Sequence, residues 1–347
     1  MTTRADLMRP RKRATLADVA SEVGLSPSTV SRALDPSRAA MVNSLTRERI
    51  VTAAERLGYR PDVQARSLMT GRTQTIAVIA ADLGNTWVTP ILHGIASRVS
   101  VEGIVPVIAE TNDDSTVLTH LIDHMLSRRV DALIVLAARR QDADVISSAA
   151  RIVPTVVAAR GLVDIDVPVV AVDDRLGGQI VAEHFADLGH RVVAQIKGPL
   201  DVSNFSLRTE GFSEVAERRR LRQLPVLGEA AVPTEEEGHR LMSQILTEAD
   251  DRPTAVFAQN DPMAVGAFMA VREHGLRIPE DISIAGTNDM PLTALLDPGL
   301  TTVHYPGWEV GYAAASLTLR LLDRVEHVES VCLDPDLVPR ASTAPPP

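Results

Sequence analysis

The sequence has very little cysteine and no long apolar run, and each shortage excludes a class of protein. Its single cysteine, Cys332, cannot form a disulfide within the chain, and no Cys/His cluster has the spacing of a zinc site. We expect Cys332 to be a small buried apolar residue. No apolar run of about 18 residues occurs, and the basic N-terminus lacks the apolar core of a secretory signal. We therefore expect no membrane span and a cytoplasmic location at the nucleoid.

Common catalytic and nucleotide-binding motifs are also absent. The first predicted strand is not followed by GxGxxG, and the sequence has no GxxxxGK[ST], HExxH or GxSxG. His120 and His124 have the i,i+4 spacing of metal ligands, but no third ligand is near them, so a surface helix is the better interpretation. We predict no catalytic residue, no metal and no cofactor.

Charge is distributed unevenly along the 347 residues. Residues 1–72 hold 13 Lys and Arg against 7 Asp and Glu, a net charge of +6, whereas the remainder has a net charge of −16. A basic segment on an acidic body indicates that only the basic segment meets a polyanion such as DNA. A basic tail without a partner would explain "RPRKR" alone, but not the folded pattern that follows it.

The basic segment contains three helix patterns with recognisable ends. In "TLADVASEVG", Thr15 can cap the first helix and Gly24 can end it. In "LSPSTVSRAL", Ser26 can cap the second and Pro27 fits its first position. A third helix follows over "LTRERIVTAAERLG". Two short helices joined by a turn and closed by a third form a helix-turn-helix, whose second helix enters the major groove.

The second helix has the composition of a recognition helix. Pro27, Ser28 and Thr29 are small and stand at its start, and Arg32 lies one turn later. An arginine fork matches O6 and N7 of guanine together. A capped surface helix with no partner is the alternative, and the neighbouring helices and the charge asymmetry disfavour it.

The next segment, "RPDVQARSLMTG", predicts a short helix over residues 63–69. Such a helix is too short to be stable alone in water, so we expect it to order only against DNA or a partner chain.

From residue 74 onwards, short β-branched runs alternate with amphipathic helices. This alternation predicts parallel sheets covered on both faces, and the length favours two lobes with a cleft between them. Ligands bind beyond the carboxyl ends of such strands. Polar residues stand at several of these ends and act either as helix caps or as ligand contacts: Asp82, Arg160, Asp173, Asn260, Asp261, Asn288 and Asp289.

Several motifs resemble those of the LacI/GalR (lactose-repressor) family over nearly the whole chain. They include "TLADVASEVGLSPSTVSRAL", "RPDVQARSL", "GHRVVAQIKGP", "RTEGF" and "LTTVHYP". The resemblance implies an N-terminal all-α helix-turn-helix head plus hinge helix, joined to a two-lobed α/β periplasmic-binding-protein-like (type I) effector domain. We predict a DNA-binding domain over residues 1–60, a hinge over 61–73, an effector and dimerisation domain over 74–341, and a disordered tail over 342–347. Within that domain we expect a first lobe over about 74–173 and 306–326, and a second over about 174–305 and 327–341.

The resemblance also implies a homodimer or tetramer that binds a near-palindromic double-stranded operator. No heptad-rich tail follows Arg340, which favours the dimer. Base contacts would come from Pro27, Ser28 and Arg32, and Leu68 would wedge into the minor groove. The complete predicted set of DNA-binding residues is Thr15, Leu16, Ser26, Pro27, Ser28, Thr29, Ser31, Arg32, Tyr59, Arg66 and Leu68.

The resemblance implies that Arg208 binds the hydroxyls or a carboxylate of the effector through its guanidinium group. The predicted effector-binding residues are Asp82, Asn85, Trp87, Arg160, Phe205, Arg208, Asn260, Asp261 and Asn288. Many sugar-binding relatives carry aspartates at the positions of Ala159 and Asn288, and both are missing here. An ordinary free hexose is therefore disfavoured, which leaves a modified sugar, a nucleoside or an acidic ligand.

These features predict a sequence-specific transcriptional regulator, most often a repressor in this family, that is controlled by a sugar or related metabolite. A solute-binding protein or a sugar-processing enzyme with the same two-lobed body is the alternative. The first would need an export signal and would have no use for the basic head. The second would need an acid and a base paired in the cleft.

Overall fold

The computed structural model describes residues 14–35, 38–60, 71–162, 165–225, 228–248 and 251–347. The chain forms two compact units, Met1–Thr73 and Gln74–Pro347. The predicted hinge helix at residues 63–69 lies outside the described residues. Within the described part of the chain, no helix combines the length and the apolar character needed to cross a bilayer.

The described residues of the first unit contain three α-helices: α1 (Leu16–Val23), α2 (Pro27–Leu34) and α3 (Ser44–Leu57). Their ends follow local rules. Thr15 and Asp18 form a capping box at the start of α1, and Gly24 ends that helix with a left-handed φ of 66°. Ser26 caps α2. The helix-turn-helix prediction is confirmed.

The three helices bury a small core of aliphatic and alanine side chains. The buried residues are Val19, Ala20, Val30, Ala33, Ile50, Ala53 and Ala54. Each helix contributes to this set, so the helical spacing of the apolar residues fixes which face of α2 points inward. Its opposite face is left for solvent or a partner.

The second unit contains twelve strands and eight helices among its described residues. The strands are β1 (Thr75–Ala80), β2 (Val105–Glu110), β3 (Ala132–Val135), β4 (Thr155–Ala159), β5 (Val169–Val172), β6 (Val192–Ile196), β7 (Arg222–Gln223), β8 (Ala255–Ala258), β9 (Ser283–Asn288), β10 (Thr301–His304), β11 (Val331–Leu333) and β12 (Asp336–Val338). The helices are α4 (Val88–Ser100), α5 (Ser115–Ser127), α6 (Ala143–Ala150), α7 (Asp174–Leu188), α8 (Ser203–Arg218), α9 (Glu235–Glu248), α10 (Asp261–Glu273) and α11 (Gly307–Leu322).

The strands form two sheets, one in each lobe. The first has the order β11-β5-β4-β3-β1-β2 and is parallel throughout, and the second has the order β12-β10-β9-β8-β6-β7 with only β12 antiparallel. Central strands such as β3 and β8 are buried at every residue because helices cover both faces. The predicted two-lobed α/β fold is confirmed.

The chain crosses between the lobes three times, and the third crossing corrects the prediction. The first two lie between β5 and α7 and between β10 and α11. The sequence predicts that residues 327–341 lie wholly in the second lobe, but β11 pairs in parallel with β5 of the first sheet. The third crossing therefore lies between β11 and β12. Each of these strands has only three residues, which is too short for a periodic signal.

Two expectations near the C-terminus are also wrong. Ser342, in the predicted disordered tail, is fully buried, and its hydroxyl donates to the Ile284 carbonyl at 2.7 Å while accepting from the Thr301 N–H at 2.7 Å. The tail is ordered at Ser342 because its hydroxyl forms hydrogen bonds with backbone groups of β9 and β10. Cys332 is exposed rather than buried, because β11 is an edge strand.

Helix α11 is fixed to the first lobe by a close approach to α4. A Cβ added to Gly311 would lie 1.9 Å from the Ile91 carbonyl oxygen, and one on Gly94 would lie 2.1 Å from the Trp308 carbonyl oxygen. Only glycine permits the two backbones to touch in this way. This contact therefore holds α11, which follows the second crossing, against the first lobe.

Candidate functional site

The outward face of α2 carries the predicted base-contacting residues. Ser26, Pro27, Ser28 and Arg32 are exposed, while Val30 on the opposite face is fully buried. Thr29 and Ser31 are half-buried at the boundary of the two faces. The geometry leaves a small-residue surface with one long basic side chain, which can enter a groove closely.

The hydroxyls at the start of α2 bond to one another. Ser26 Oγ accepts from the Thr29 N–H at 3.2 Å and lies 2.9 Å from the hydroxyls of Ser28 and Thr29. Arg32 Nε donates to the Ser28 carbonyl at 3.3 Å. This bond involves neither of the terminal guanidinium nitrogens. Arg32 therefore has the longest reach on this face, and the hydroxyls serve first as the helix cap.

The other predicted DNA contacts also have local structural roles. The Thr15 hydroxyl donates to Asp18 Oδ2 at 2.8 Å within the capping box, and Leu16 and Tyr59 pack half-buried against the core. Arg66 and Leu68 lie outside the described residues and stay predictions.

In the first lobe, the residues after β1 form a turn. Asp82 Oδ1 accepts from the Gly84 N–H at 2.7 Å, and Asn85 Oδ1 accepts from the Trp87 N–H at 3.1 Å. The indole N–H of Trp87 donates to the Tyr305 carbonyl at 3.2 Å, and the two rings meet edge to face at 6.2 Å. Trp87 is therefore fixed beside the second crossing.

Arg208 is buried at the junction of the first two crossings, with 3% of its surface exposed. Its Nε donates to Asp174 Oδ1 at 2.8 Å and to Tyr305 Oη at 3.2 Å, and its Nη1 donates to the Gln259 carbonyl. The guanidinium also lies over the rings of Tyr305 and Phe205, at 4.7 and 5.5 Å. Arg208 thus joins the first residue of α7 to the segment before α11.

Burial dominates the ionisation of this group. It raises the pKa of the Asp174 carboxyl and of Tyr305, while the nearby Arg208 charge acts in the opposite direction on both. Burial alone would lower the pKa of Arg208, but Tyr305 and Asp174 together raise it above its ordinary value. The guanidinium therefore remains charged and paired.

The predicted ligands in the second lobe serve its own structure. Asn260 caps α10 through the Met263 N–H at 2.8 Å, and its amide donates to the Pro233 carbonyl. Asp261 is fully buried; Oδ2 accepts from the Met290 N–H and Oδ1 from the Thr302 hydroxyl, both at 2.7 Å. Burial raises the pKa of Asp261 to about 7. Asn288 is nearly buried and has a positive φ of 114°.

Arg160 belongs to a chain of alternating charges that joins the two lobes, which we call the ion chain and define as Arg160, Asp113, Arg139 and Asp201. The Asp113 carboxylate accepts hydrogen bonds from both terminal nitrogens of Arg160, at 2.5 and 3.2 Å. It also forms an ion pair with Arg139 at 3.1 Å. Arg139 in turn pairs with Asp201. Burial would raise the pKa of Asp113, but Arg160 and Arg139 hold it below its ordinary value.

Sequence reasoning missed Asp113, Arg139 and Asp201, together with Asp174 and Tyr305. Asp113 and Arg139 follow β2 and β3 at the same sheet edge as Arg160, so the strand-end rule could have found them. Nothing local marks Tyr305, whose role depends on a partner 97 residues away.

No metal centre appears within the described ranges. No group of three or more His, Cys, Asp and Glu side chains is placed there to hold a metal ion. In the predicted His120–His124 pair, His124 Nε2 accepts from Arg128 Nε at 2.8 Å, which accounts for that side chain without a metal.

Comparisons with known proteins agree with this architecture. Residues 15–62 match the model of bacterial regulatory proteins of the lacI family, and residues 182–343 match the periplasmic binding protein-like domain. The PurR transcriptional repressor of Haemophilus influenzae is 31% identical over 342 residues, covering 95% of this chain and 98% of that protein. The CytR repressor of Escherichia coli is 30% identical over 335 residues, covering 95% and 96%. The chain belongs to the LacI family.

Solved structures agree as well. The lac repressor dimer bound to operator and the anti-inducer ONPF superposes with a TM-score of 0.86 at 28% identity, covering 96% of this chain and all of that chain. A LacI-family regulator from Enterococcus faecium with bound ribose has a TM-score of 0.69 at 26% identity, covering 78% and 99%. This LacI-family protein is a transcriptional regulator and not an enzyme.

Proposed function

We propose that this LacI-family protein is a transcriptional repressor that binds a near-palindromic operator as a homodimer, in the cytoplasm, under the control of a metabolite bound between its two lobes. The observation that carries the proposal is the exposed face of α2. Its small hydroxyl residues and Arg32 stand on a basic helix-turn-helix unit that precedes an acidic two-lobed body.

Operator reading depends mainly on Arg32. Its side chain is the longest on the exposed face of α2, and its guanidinium suits a guanine edge in the major groove. Ser28 and Pro27 are short and contribute less discrimination. The hydroxyls of Thr15, Ser26, Thr29 and Ser31 suit phosphate contacts, which position the head without reading sequence.

Dimerisation is supported by an apolar sheet edge in the first lobe. Strand β2 is the last strand of its sheet, and Val105, Val107 and Ile108 on it are exposed, Val105 to 60%. An open apolar edge favours association with another chain. Val107→Lys is expected to weaken the dimer in sedimentation equilibrium, whereas an unchanged dimer would place the interface elsewhere.

The charge balance of the cleft supports a neutral polar effector, such as a sugar derivative or a nucleoside. Arg160 is neutralised by Asp113, and Arg208 by Asp174. An anionic ligand would have to displace a carboxylate that is already well placed. Solved relatives were obtained with cellobiose and with ribose, which are neutral.

The experiment has two stages with full-length protein. Selection from a random DNA pool is expected to yield a near-palindromic site, and a thermal-shift screen of sugars, polyols, sugar acids and nucleosides is expected to yield a stabilising ligand. The ligand should then change the affinity for the selected DNA. Failure to enrich any DNA sequence would contradict the repressor proposal and favour a solute-binding role.

A further inference from the structure

The start of α8 contacts the first lobe at three places beside the cleft. Asp201 pairs with Arg139, the Ser206 hydroxyl accepts from Arg140 Nη2 at 2.9 Å, and the Asn204 amide donates to the Ala159 carbonyl at 3.2 Å. Residues 201–206 belong to the second lobe, while the partners follow β3 or end β4 in the first lobe. One short segment therefore carries a concentrated set of interlobe contacts.

The ion chain makes the first of these contacts easy to break at one defined point. Arg139 has 16% of its side-chain surface exposed and bonds to both Asp113 and Asp201, whereas the Asp201 side chain is 54% exposed. If the lobes part, Asp201 passes into solvent, and Arg139 keeps Asp113 as its partner. The opening therefore leaves no buried charge unpaired, which is the costly outcome for an ion pair.

The third contact depends on an unusual backbone conformation. Ala159 has a φ of 67°, in the left-handed region that non-glycine residues seldom adopt. Its carbonyl oxygen accepts from Asn204, which is nearly buried. A strained residue persists where surrounding contacts hold it, and here the bond to the opposite lobe is one of those contacts.

We propose that these three contacts form an interlobe latch, which holds the two lobes together beside the effector cleft before any ligand binds. The latch opens at the Arg139–Asp201 pair. Its regulatory meaning rests on the proposed function, because a ligand that alters the lobe angle has to break or strengthen this pair. The latch sets how much of the protein is already closed without ligand, and thereby sets the apparent affinity of the effector.

The test is amide hydrogen exchange on the full-length protein, with neither DNA nor ligand present. Asp201→Asn removes the charge, and Asp201→Arg places two cations together. The readout is exchange in residues 137–141 and 158–161, which lie in the lobe opposite the substitution. Asp187→Asn and Asp187→Arg are matched controls, because Asp187 is also exposed and pairs with Arg219 inside the second lobe alone.

We expect exchange in the two first-lobe segments to be about twofold to fivefold faster for Asp201→Asn, and faster still for Asp201→Arg. The Asp187 variants should match the wild type there. Unchanged exchange in Asp201→Arg would overturn the latch, and so would faster exchange confined to residues 201–206, which indicates only fraying of α8. Because DNA and effector are absent, the latch and the repressor proposal can fail independently.

Discussion

The head and the body of this protein place their polar residues in opposite ways. In the head, the candidate base contacts Pro27, Ser28 and Arg32 are exposed, and Arg32 bonds to a carbonyl four residues earlier. In the body, Arg208 is buried and bonds to a tyrosine 97 residues later. Arg32 can therefore be replaced at little cost to the fold, whereas Arg208 also holds the fold together.

The comparison predicts the largest loss of stability when the buried Arg208–Asp174 pair is broken. Arg208→Ala leaves the Asp174 carboxylate buried without its partner, which costs about 3–5 kcal/mol of unfolding free energy. Both tryptophans, Trp87 and Trp308, lie in the body, so urea unfolding followed by tryptophan fluorescence reports the body alone. Arg218→Ala, which breaks an exposed pair with Glu183, should cost less than about 1 kcal/mol. Equal losses of unfolding free energy in Arg208→Ala and Arg218→Ala would contradict the contrast between a buried and an exposed ion pair.

The second prediction concerns the pH dependence that Asp261 gives the body. Its folded pKa of about 7 lies above the unfolded value, so the folded protein binds this proton more tightly. The stability that results is fully present below about pH 4 and is lost as the pH rises through about 7, by at most about 4 kcal/mol. Asp261→Asn can still accept from the Met290 N–H through its amide oxygen and donate to the Thr302 hydroxyl through its amide nitrogen, and it should lack this decline. Parallel wild-type and variant curves of unfolding free energy from about pH 5 to pH 8 would show that Asp261 titrates normally.

A third prediction tests the exposed face of the head. Arg32→Ala should cost about 1–3 kcal/mol in binding to the selected operator and much less on random DNA, with no change in unfolding. Arg38→Ala, just beyond α2, is the control and should weaken both DNAs alike or neither. Binding is measured by fluorescence anisotropy. If Arg32→Ala weakens both DNAs equally, Arg32 contacts only phosphate.

The smallest effect is expected at the helix cap of α1. Thr15→Ala removes the capping box with Asp18 and should cost about 1 kcal/mol within the head, whereas Thr15→Ser retains the hydroxyl. Amide exchange in residues 16–20 measures the difference. If the alanine and serine variants exchange alike, the box does not stabilise α1.

Local rules explain why the head was predictable and the cleft only partly so. Thr15, Gly24 and Ser26 set helix ends through neighbours a few residues away, and the sequence shows those neighbours directly. Arg160 and Asn260 could be found because they follow strands. The same rule could have found Asp113 and Arg139, but not the pairing of Arg139 with Asp201, because that pairing spans 62 residues and depends on how two lobes meet.

In the proposed mechanism, a ligand bound in the body controls how tightly the head binds DNA. The most direct measurement is the affinity of the full-length protein for its selected operator, with and without the metabolite found by thermal shift. We predict a change of about fivefold to 150-fold, which persists in the control Arg218→Ala and is reduced in Arg208→Lys. An identical operator affinity with and without the bound metabolite would contradict the claim.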